Sequence, residues 1–294
     1  MRDRTILCRS LLMTCALHTR RYDGARECGA DIGTIDLEDG VPPARKEAAR
    51  WLAMPVLATE TREGFSRAVR INSIRTEDGL RDLLAILESG ARPDILFLPK
   101  VESPEELVIV DQVLAGRLPS MALLATLETA AGLTAVDAIA AAPVPRLWGL
   151  IFGAADFSAD LGATLAWEPL LPARSRIQLA AARSGLKAID APCFEVHDRA
   201  ALAVEIDRSR RMGFAGKAAI HPQQVEAINR GFTPGDAEVV RAREILAASE
   251  RSHGEICVVR GEMIGPPGVR AARRLLGEAE AIAKREEVLA RREG

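Results

Sequence analysis

Short aliphatic runs separated by amphipathic stretches recur along the chain. They are Thr5 to Leu12, Ile32 to Leu37, Ser66 to Ile71, Asp94 to Leu98, Met121 to Leu127, Trp148 to Phe152, Lys187 to Ile189 and Gly216 to Ile220. Near-continuous apolar runs of this length read as strands buried on both faces of a parallel sheet, and the segments between them have helical periodicity. Ser103-Pro104-Glu105-Glu106 opens one helix with an N-cap serine, a first-turn proline and acids that suit the positive helix end. Asp78 to Glu88 stops at Gly90 and Asp198 to Arg211 stops at Gly213, where glycine favours a helix C-cap. Eight strands alternating with helices predict an α/β fold, a (β/α)8 TIM barrel. After Pro222 the alternation ends. Gly235 to Ser252 and Gly268 to Arg292 predict two helices around a hairpin, Glu255 to Ile264, that turns at Gly261. The pattern divides the chain into a barrel over residues 1–231 and a C-terminal helical extension over 232–294, whose Arg- and Glu-rich last helix suits solvent or a neighbouring subunit.

Composition narrows the function. The 294 residues, 48% hydrophobic, suffice for one barrel-sized core. A net charge of -2 and only 4% aromatic residues give no basis for nucleic acid or an anionic membrane as partner. The five cysteines form no CxxC pair, which predicts reduced thiols in the cytoplasm rather than a disulfide or zinc framework. Met1-Arg2-Asp3-Arg4 followed by Leu11-Leu12-Met13 is interrupted by Arg9 and no small-residue cleavage site follows, so no signal peptide is expected. No window approaches the roughly 18 apolar residues of a membrane span. The four histidines are scattered and predict no cluster.

The chemistry collects where the apolar runs stop. Met121 to Leu127 ends on Glu128, and Trp148 to Phe152 ends on Gly153-Ala154-Ala155-Asp156. Side chains at the carboxyl ends of barrel strands converge on the ligand site. Glu128 and Asp156 delivered there would form an all-oxygen site for Mg²⁺ or Mn²⁺, although each carboxylate could instead cap the helix that follows it. The second run ends Asp36-Leu37-Glu38-Asp39, an acid cluster that needs cations, protons or donors nearby. Arg70 ends the third run and suits a bidentate grip on a carboxylate; a buried pair with Glu38 is the alternative. Lys100 follows the fourth. Taken strand by strand, Arg9, the Asp36/Glu38/Asp39 cluster, Arg70, Lys100, Glu128, Asp156, Asp190 and His221 would ring one mouth.

In these motifs the chain resembles the citrate lyase β-subunit-like proteins, within the group of metal-dependent aldolases and lyases that includes malyl-CoA and citramalyl-CoA lyases. The resemblance is carried by Arg9-Ser10, Asp36-Leu37-Glu38-Asp39, Arg70-Ile71-Asn72, Pro99-Lys100, Glu128-Thr129, Phe152-Gly153-Ala154-Ala155-Asp156 with Leu161-Gly162, and Gly216-Lys217-Ala218-Ala219-Ile220-His221-Pro222. It spans about residues 5 to 275 and implies a trimer or hexamer whose C-terminal segment reaches a neighbouring subunit. It further implies that Glu128 and Asp156 ligate Mg²⁺, that Arg70 holds the carboxylate of an α-keto acid, and that Asp36, Glu38 and Asp39 bond to metal-bound water. Amides of Gly153, Ala154 and Ala155 would add donors to that carboxylate, and Gly216 to Pro222 would line the thioester side. Arg9, Lys100 or Arg70 would stabilise a thioester enolate, and the group that acts as base is left open. The chain departs from the resemblance at two points. Leu12-Met13-Thr14-Cys15-Ala16 stands where relatives have Phe-Val-Pro-Gly near the thioester entrance, and Gly265 stands where relatives carry an Asp after Met-Ile that serves thioester hydrolysis in the adjacent subunit, unless Glu262 substitutes.

Three readings follow. The first is a Mg²⁺-dependent carbon–carbon lyase acting on a 3-hydroxy-acyl thioester, of coenzyme A or of an acyl-carrier protein, that yields an acyl thioester and an α-keto acid. The second is a metal-dependent aldolase acting on free 2-keto or hydroxy acids. The third is a non-catalytic carrier-binding scaffold that has kept the barrel.

Overall fold

A computed structural model describes residues 6–59 and 64–293; Thr5, the expected start of the first strand, lies outside them. Their contacts divide the chain after Arg230 into two units. In the first, eight parallel strands close a barrel in chain order: β1 (Ser10–Cys15), β2 (Ile32–Asp36), β3 (Ser66–Arg70), β4 (Ile95–Leu98), β5 (Ala122–Leu127), β6 (Leu147–Phe152), β7 (Lys187–Asp190) and β8 (Gly216–Ala219). The ring closes where β8 returns to β1 with Ala219 opposite Leu12. The connecting helices are α1 (Tyr22–Glu27), α2 (Lys46–Ala58), α3 (Glu77–Glu88), α4 (Pro104–Ala115), α5 (Ala130–Thr134), α6 (Val136–Ala140), α7 (Ala154–Leu161), α8 (Trp167–Ser184) and α9 (Arg199–Arg211), with α10 (Pro222–Phe232) after the last strand. The expected TIM barrel is the observed fold.

Strand phase decides which side chains reach the mouth. Leu11, Ile32, Ala68, Ile95, Phe97, Leu124, Ile151, Ile189 and Ala218 fill the lumen as one cluster. Successive strand residues point to opposite faces. Two steps beyond Ala68 stands Arg70, four beyond Ile32 stands Asp36, and four beyond Leu124 stands Glu128, all in phase with the lumen. Lys217 and Asp190 are each one residue out of phase and turn toward the helix layer.

The first strand begins later than its apolar composition suggests. Ile6 and Cys8 are buried, but as part of the packing at the amino-terminal mouth; pairing starts at Ser10, with Leu11 opposite Ile32. The Leu12 to Cys15 segment that departs from the relatives' motif is regular strand.

The second unit has α11 (Asp236–Arg251), a hairpin of β9 (Cys257–Val259) and β10 (Glu262–Ile264), and α12 (Pro266–Glu293). Arg260 and Gly261, both with positive φ (50° and 84°), make the two-residue turn, a conformation matched to the strand twist. Ala242, Ile245, Ala248, Val259, Ile264 and Ala272 form its small core. Arg241 pairs with Glu262, and Arg260 pairs with Glu244 at 2.7 Å. The five cysteines are free thiols. Among the described residues no helix is long and apolar enough to cross a membrane.

Candidate active site

The carboxyl-end mouth holds a compact ionic network. Asp36, last residue of β2, stands opposite Arg70 of β3 in the ladder. Its Oδ1 accepts from Arg70 Nε (2.7 Å) and the Glu38 amide (2.9 Å), and its Oδ2 from Arg70 Nη2 (2.8 Å) and the Gly40 amide (3.0 Å). A Cβ on residue 40 would stand 2.6 Å from Asp36 Oδ2, so glycine is what lets that amide close in. Burial alone would raise the Asp36 carboxyl; Arg70 and the two amides outweigh it and hold it below the usual carboxylate range. Asp36 therefore fixes Arg70. Its four hydrogen bonds all come from Arg70 and these two amides. Arg70 Nη1 also lies 2.9 Å from Glu38 Oε2, an ion pair without a directed hydrogen bond. At least one N–H on each terminal nitrogen of Arg70 remains for a bidentate partner.

Lys100, just past β4, crosses the mouth from the other side. Its ammonium bonds Glu38 Oε1, lies 3.2 Å from Asp39 Oδ2 and stands 3.8 Å from Asp156 Oδ2. Its amide donates to Glu128 Oε1 at 2.8 Å. Half-burial would favour the neutral amine, but the bond to Glu38 and the charges of Glu38, Glu128 and Asp156 keep Lys100 protonated well above its usual range.

Glu128 and Asp156 open onto this same mouth. Glu128 follows β5 and is 2% exposed, whereas the Asp156 side chain, in the first turn of α7, is 42% exposed. Burial, then repulsion from Glu38 and Asp156, pushes the Glu128 carboxyl up to about 8 against the attraction of Lys100 and Arg70. Burial likewise lifts Glu38 above the usual carboxylate range, with Asp39 adding to the lift, against Arg70 and Lys100. The mouth is short of positive charge even with both cations in place.

Gly153 acts differently from the expectation. Its amide donates to Leu127 O (3.1 Å) within the β5–β6 ladder and is not free for a ligand. A Cβ at this position would collide with both the carboxylate and the Cβ of Glu128, so the missing side chain makes the space Glu128 occupies. Ala154 and Ala155 open α7, whose N-cap supplies no side-chain acceptor, and their amides point out of the helix start where an anion is favoured.

Arg9 is not brought to this mouth. It precedes β1, and its amide (2.8 Å), Nε (3.0 Å) and Nη2 (2.9 Å) bond to Asp31, which precedes β2 at the opposite end of the barrel. The strand runs from Ser10 to Cys15, past the Leu12 expected as its end, so Arg9 stands at its amino end and not at the rim. Asp190 also leaves the ring: fully buried outside the lumen, it bonds Arg174 (2.8 Å), Lys217 (2.9 Å) and Ser209. His221 caps locally, its Nδ1 accepting from the Gln223 amide at 3.2 Å.

Several residues outside the sequence motifs also shape the mouth. Lys46 Nζ, from α2, donates to the carbonyls of Leu37 (2.9 Å) and Glu38 (2.7 Å) and to Asn72 Oδ1 (2.6 Å), holding the acid loop in place. Asn72 is fixed in turn by Asp82, whose other oxygen takes Arg50. Arg75 Nη2 donates to the Lys100 carbonyl at 2.9 Å. A lysine ten residues after the first acid of the cluster is a local signal that could have flagged Lys46; Arg75 and Asp82 leave none.

The donor set fits a hard divalent cation. Every candidate ligand is a carboxylate oxygen, and the electrostatic imbalance at Glu128 is the kind a bound cation relieves. Among the described residues no three His, Cys, Asp or Glu side chains already cage a metal. Two carboxylates completed by water and substrate oxygens is the arrangement Mg²⁺ accepts and Zn²⁺ or Ca²⁺ sites seldom use.

The chain is similar to known proteins along most of its length. The profile of the HpcH/HpaI aldolase/citrate lyase family matches residues 12–222. A (3S)-malyl-CoA thioesterase of Cereibacter sphaeroides is 36% identical over 280 residues, covering 94% of this chain and 95% of its own. An L-malyl-CoA/beta-methylmalyl-CoA lyase of Rhodobacter capsulatus is 32% identical, covering 88% of this chain and 90% of its own. Among solved structures, Mycobacterium tuberculosis CitE in complex with magnesium, acetoacetate and coenzyme A superposes with a TM-score of 0.77 at 31% identity, over 92% of this chain and 97% of that one.

Proposed function

The chain belongs to the HpcH/HpaI aldolase/citrate lyase family, and from that premise we propose that it is a Mg²⁺-dependent carbon–carbon lyase. Its substrate is a 3-hydroxy-acyl thioester of the malyl, citramalyl or citryl type, carried on coenzyme A. Cleavage yields an acyl thioester and an α-keto acid, and the reaction runs in both directions. One observation carries this reading: the buried Glu128 carboxylate and Asp156 come together at Lys100, whose amide bonds Glu128 Oε1 at 2.8 Å and whose ammonium stands 3.8 Å from Asp156 Oδ2, so two strand-end carboxylates share one mouth.

Glu128 and Asp156 would hold the metal, with Mn²⁺ able to replace Mg²⁺; when bound, it supplies Lewis-acid polarisation of the oxygen that becomes the keto carbonyl. Arg70, locked by Asp36, offers its remaining N–H groups to the carboxylate of the keto-acid portion, and the Ala154 and Ala155 amides add donors. Glu38 and Asp39 are the carboxylates we assign to take the hydroxyl proton. As that O–H bond breaks, the C–C bond breaks and its electron pair passes to the carbon next to the thioester. Lys100, held protonated, offers its charge to the resulting enolate, whose carbon then takes the proton from the carboxylic acid formed in the first step, giving the acyl thioester and restoring the carboxylate.

Keto-acid release from malyl-, citramalyl- and citryl-CoA by Glu128→Gln and Asp156→Asn tests the reading. Loss of cleavage with an unchanged circular dichroism spectrum is expected; unchanged turnover in either variant would sink it. A second reading, thioester hydrolysis, is favoured by the similarity to a malyl-CoA thioesterase. Against it stand Gly265, which carries no carboxylate, and Glu262, the candidate substitute, which is engaged by Arg241. Assaying free coenzyme A against acyl-CoA among the products separates the two. The exposed apolar side chains Ile256, Val258 and Met263 around the hairpin support assembly as a homotrimer or hexamer, to be measured by light scattering. The free thiols support a cytoplasmic setting.

A further inference from the structure

Lys100 is a non-glycine residue in the left-handed region, with φ of 51°. That conformation is unfavourable for a side chain with a Cβ and persists only where its surroundings hold it. Two bonds hold it: the Lys100 amide donates to Glu128 Oε1 at 2.8 Å, and the Lys100 carbonyl accepts from Arg75 Nη2 at 2.9 Å. The result is a side chain aimed across the mouth at acids from two other loops. Its ammonium hydrogen-bonds Glu38 and Asp39, whereas Asp156 stands 3.8 Å away, ion-paired without a hydrogen bond. One residue thus contacts four carboxylates, and its loosest contact is to a proposed metal ligand.

We infer that Lys100 is the resident counter-cation of the acid mouth, holding the carboxylates together before a divalent ion arrives and competing with that ion for Asp156. The inference rests on the reading that Glu128 and Asp156 hold the metal. It has a consequence of definite sign. A positive charge beside the site opposes a second one, so removing it tightens metal binding, while the metal-free protein, left with mutually repelling acids, loses stability. A lysine that merely preorganised the ligands would do the reverse, and its removal would weaken metal binding.

The test is Mg²⁺ titration by calorimetry at pH 8 on wild type, Lys100→Met and Lys100→Arg, with thermal unfolding in chelator and in excess Mg²⁺. Lys100→Met is expected to bind Mg²⁺ about tenfold or more tightly than wild type. It should melt below wild type in chelator and recover more on adding Mg²⁺. Lys100→Arg, which keeps the charge, should bind within about threefold of wild type. Equal or weaker binding by Lys100→Met overturns the inference, as does a Lys100→Met protein that folds neither with nor without Mg²⁺ while Lys100→Arg folds. A wild type that binds no Mg²⁺ overturns the reading of Glu128 and Asp156 as ligands, and the inference with it; wild-type binding with the wrong sign in Lys100→Met overturns the inference alone.

Discussion

Lowering the pH should weaken Mg²⁺ binding through Glu128. With its carboxyl pushed up to about 8, this side chain must lose a proton before it can ligate a cation. It is about nine-tenths ionised at pH 9 and about one-hundredth at pH 6, so the apparent association constant falls about ninetyfold between them, about 2.7 kcal/mol. A carboxylate at the ordinary value of roughly 4.3 would be nearly fully ionised at both and would leave affinity almost flat. Calorimetric titrations at pH 6, 7, 8 and 9, each in two buffers of different ionisation enthalpy, read affinity and proton release together. Near pH 7 about nine-tenths of a proton should leave per Mg²⁺ bound, and Glu128→Gln should abolish the release. The same shift sets the sign of the stability change. A raised folded-state carboxyl means the native protein holds more protons than the unfolded chain, so this group's contribution declines as pH rises from about 4.5 to about 8 in the absence of metal. Constant affinity across this range with no proton release would refute the reasoning.

Three further outcomes follow from particular contacts. Gly153→Ala puts a Cβ into Glu128; overpacking of this kind costs about 1–3 kcal/mol, and displacing the ligand should lower Mg²⁺ affinity by about tenfold or more, measured by urea unfolding and calorimetry. Arg70→Lys gives up the paired bonds to Asp36, so kcat/KM for thioester cleavage should fall on the order of a hundredfold while circular dichroism stays unchanged. Asp190→Ala strips Arg174 of its carboxylate and leaves Lys217 with Glu205 alone, and should cost about 3–5 kcal/mol in urea unfolding, while Mg²⁺ affinity stays within about twofold because this knot lies outside the lumen.

The barrel was legible because a parallel strand covered on both faces has to be apolar almost throughout. Glu128, Arg70, Lys100 and the Asp36/Glu38/Asp39 cluster were legible because each interrupts or ends such a run. What composition could not supply was phase and register. Asp190 also ends a run, yet it falls one residue from the inward-facing Ile189 and packs against α8 and α9 instead. Arg9 was assigned to the wrong mouth because the start of β1 is set by pairing with β2 and β8; Ile6 and Cys8 are as apolar as any strand residue but plug the amino-terminal end. Gly153 was singled out for its amide, whereas its role depends on Glu128 from the neighbouring strand, a proximity that exists only after folding. Lys46 supports the acid loop from α2 through the carbonyls of Leu37 and Glu38, and its nearness to the cluster in sequence is the one cue to that role.

The central claim is that Glu128 and Asp156 share one divalent ion with an α-keto acid at the carboxyl-end mouth. Crystals soaked with Mn²⁺ and pyruvate, with data collected at the manganese edge, measure this directly. The account predicts a single strong anomalous peak bound by oxygens of both carboxylates and of pyruvate, whose carboxylate meets Arg70 or the Ala154 and Ala155 amides. A peak that touches only one of the two carboxylates, or manganese bound elsewhere with the mouth left unchanged, would contradict it.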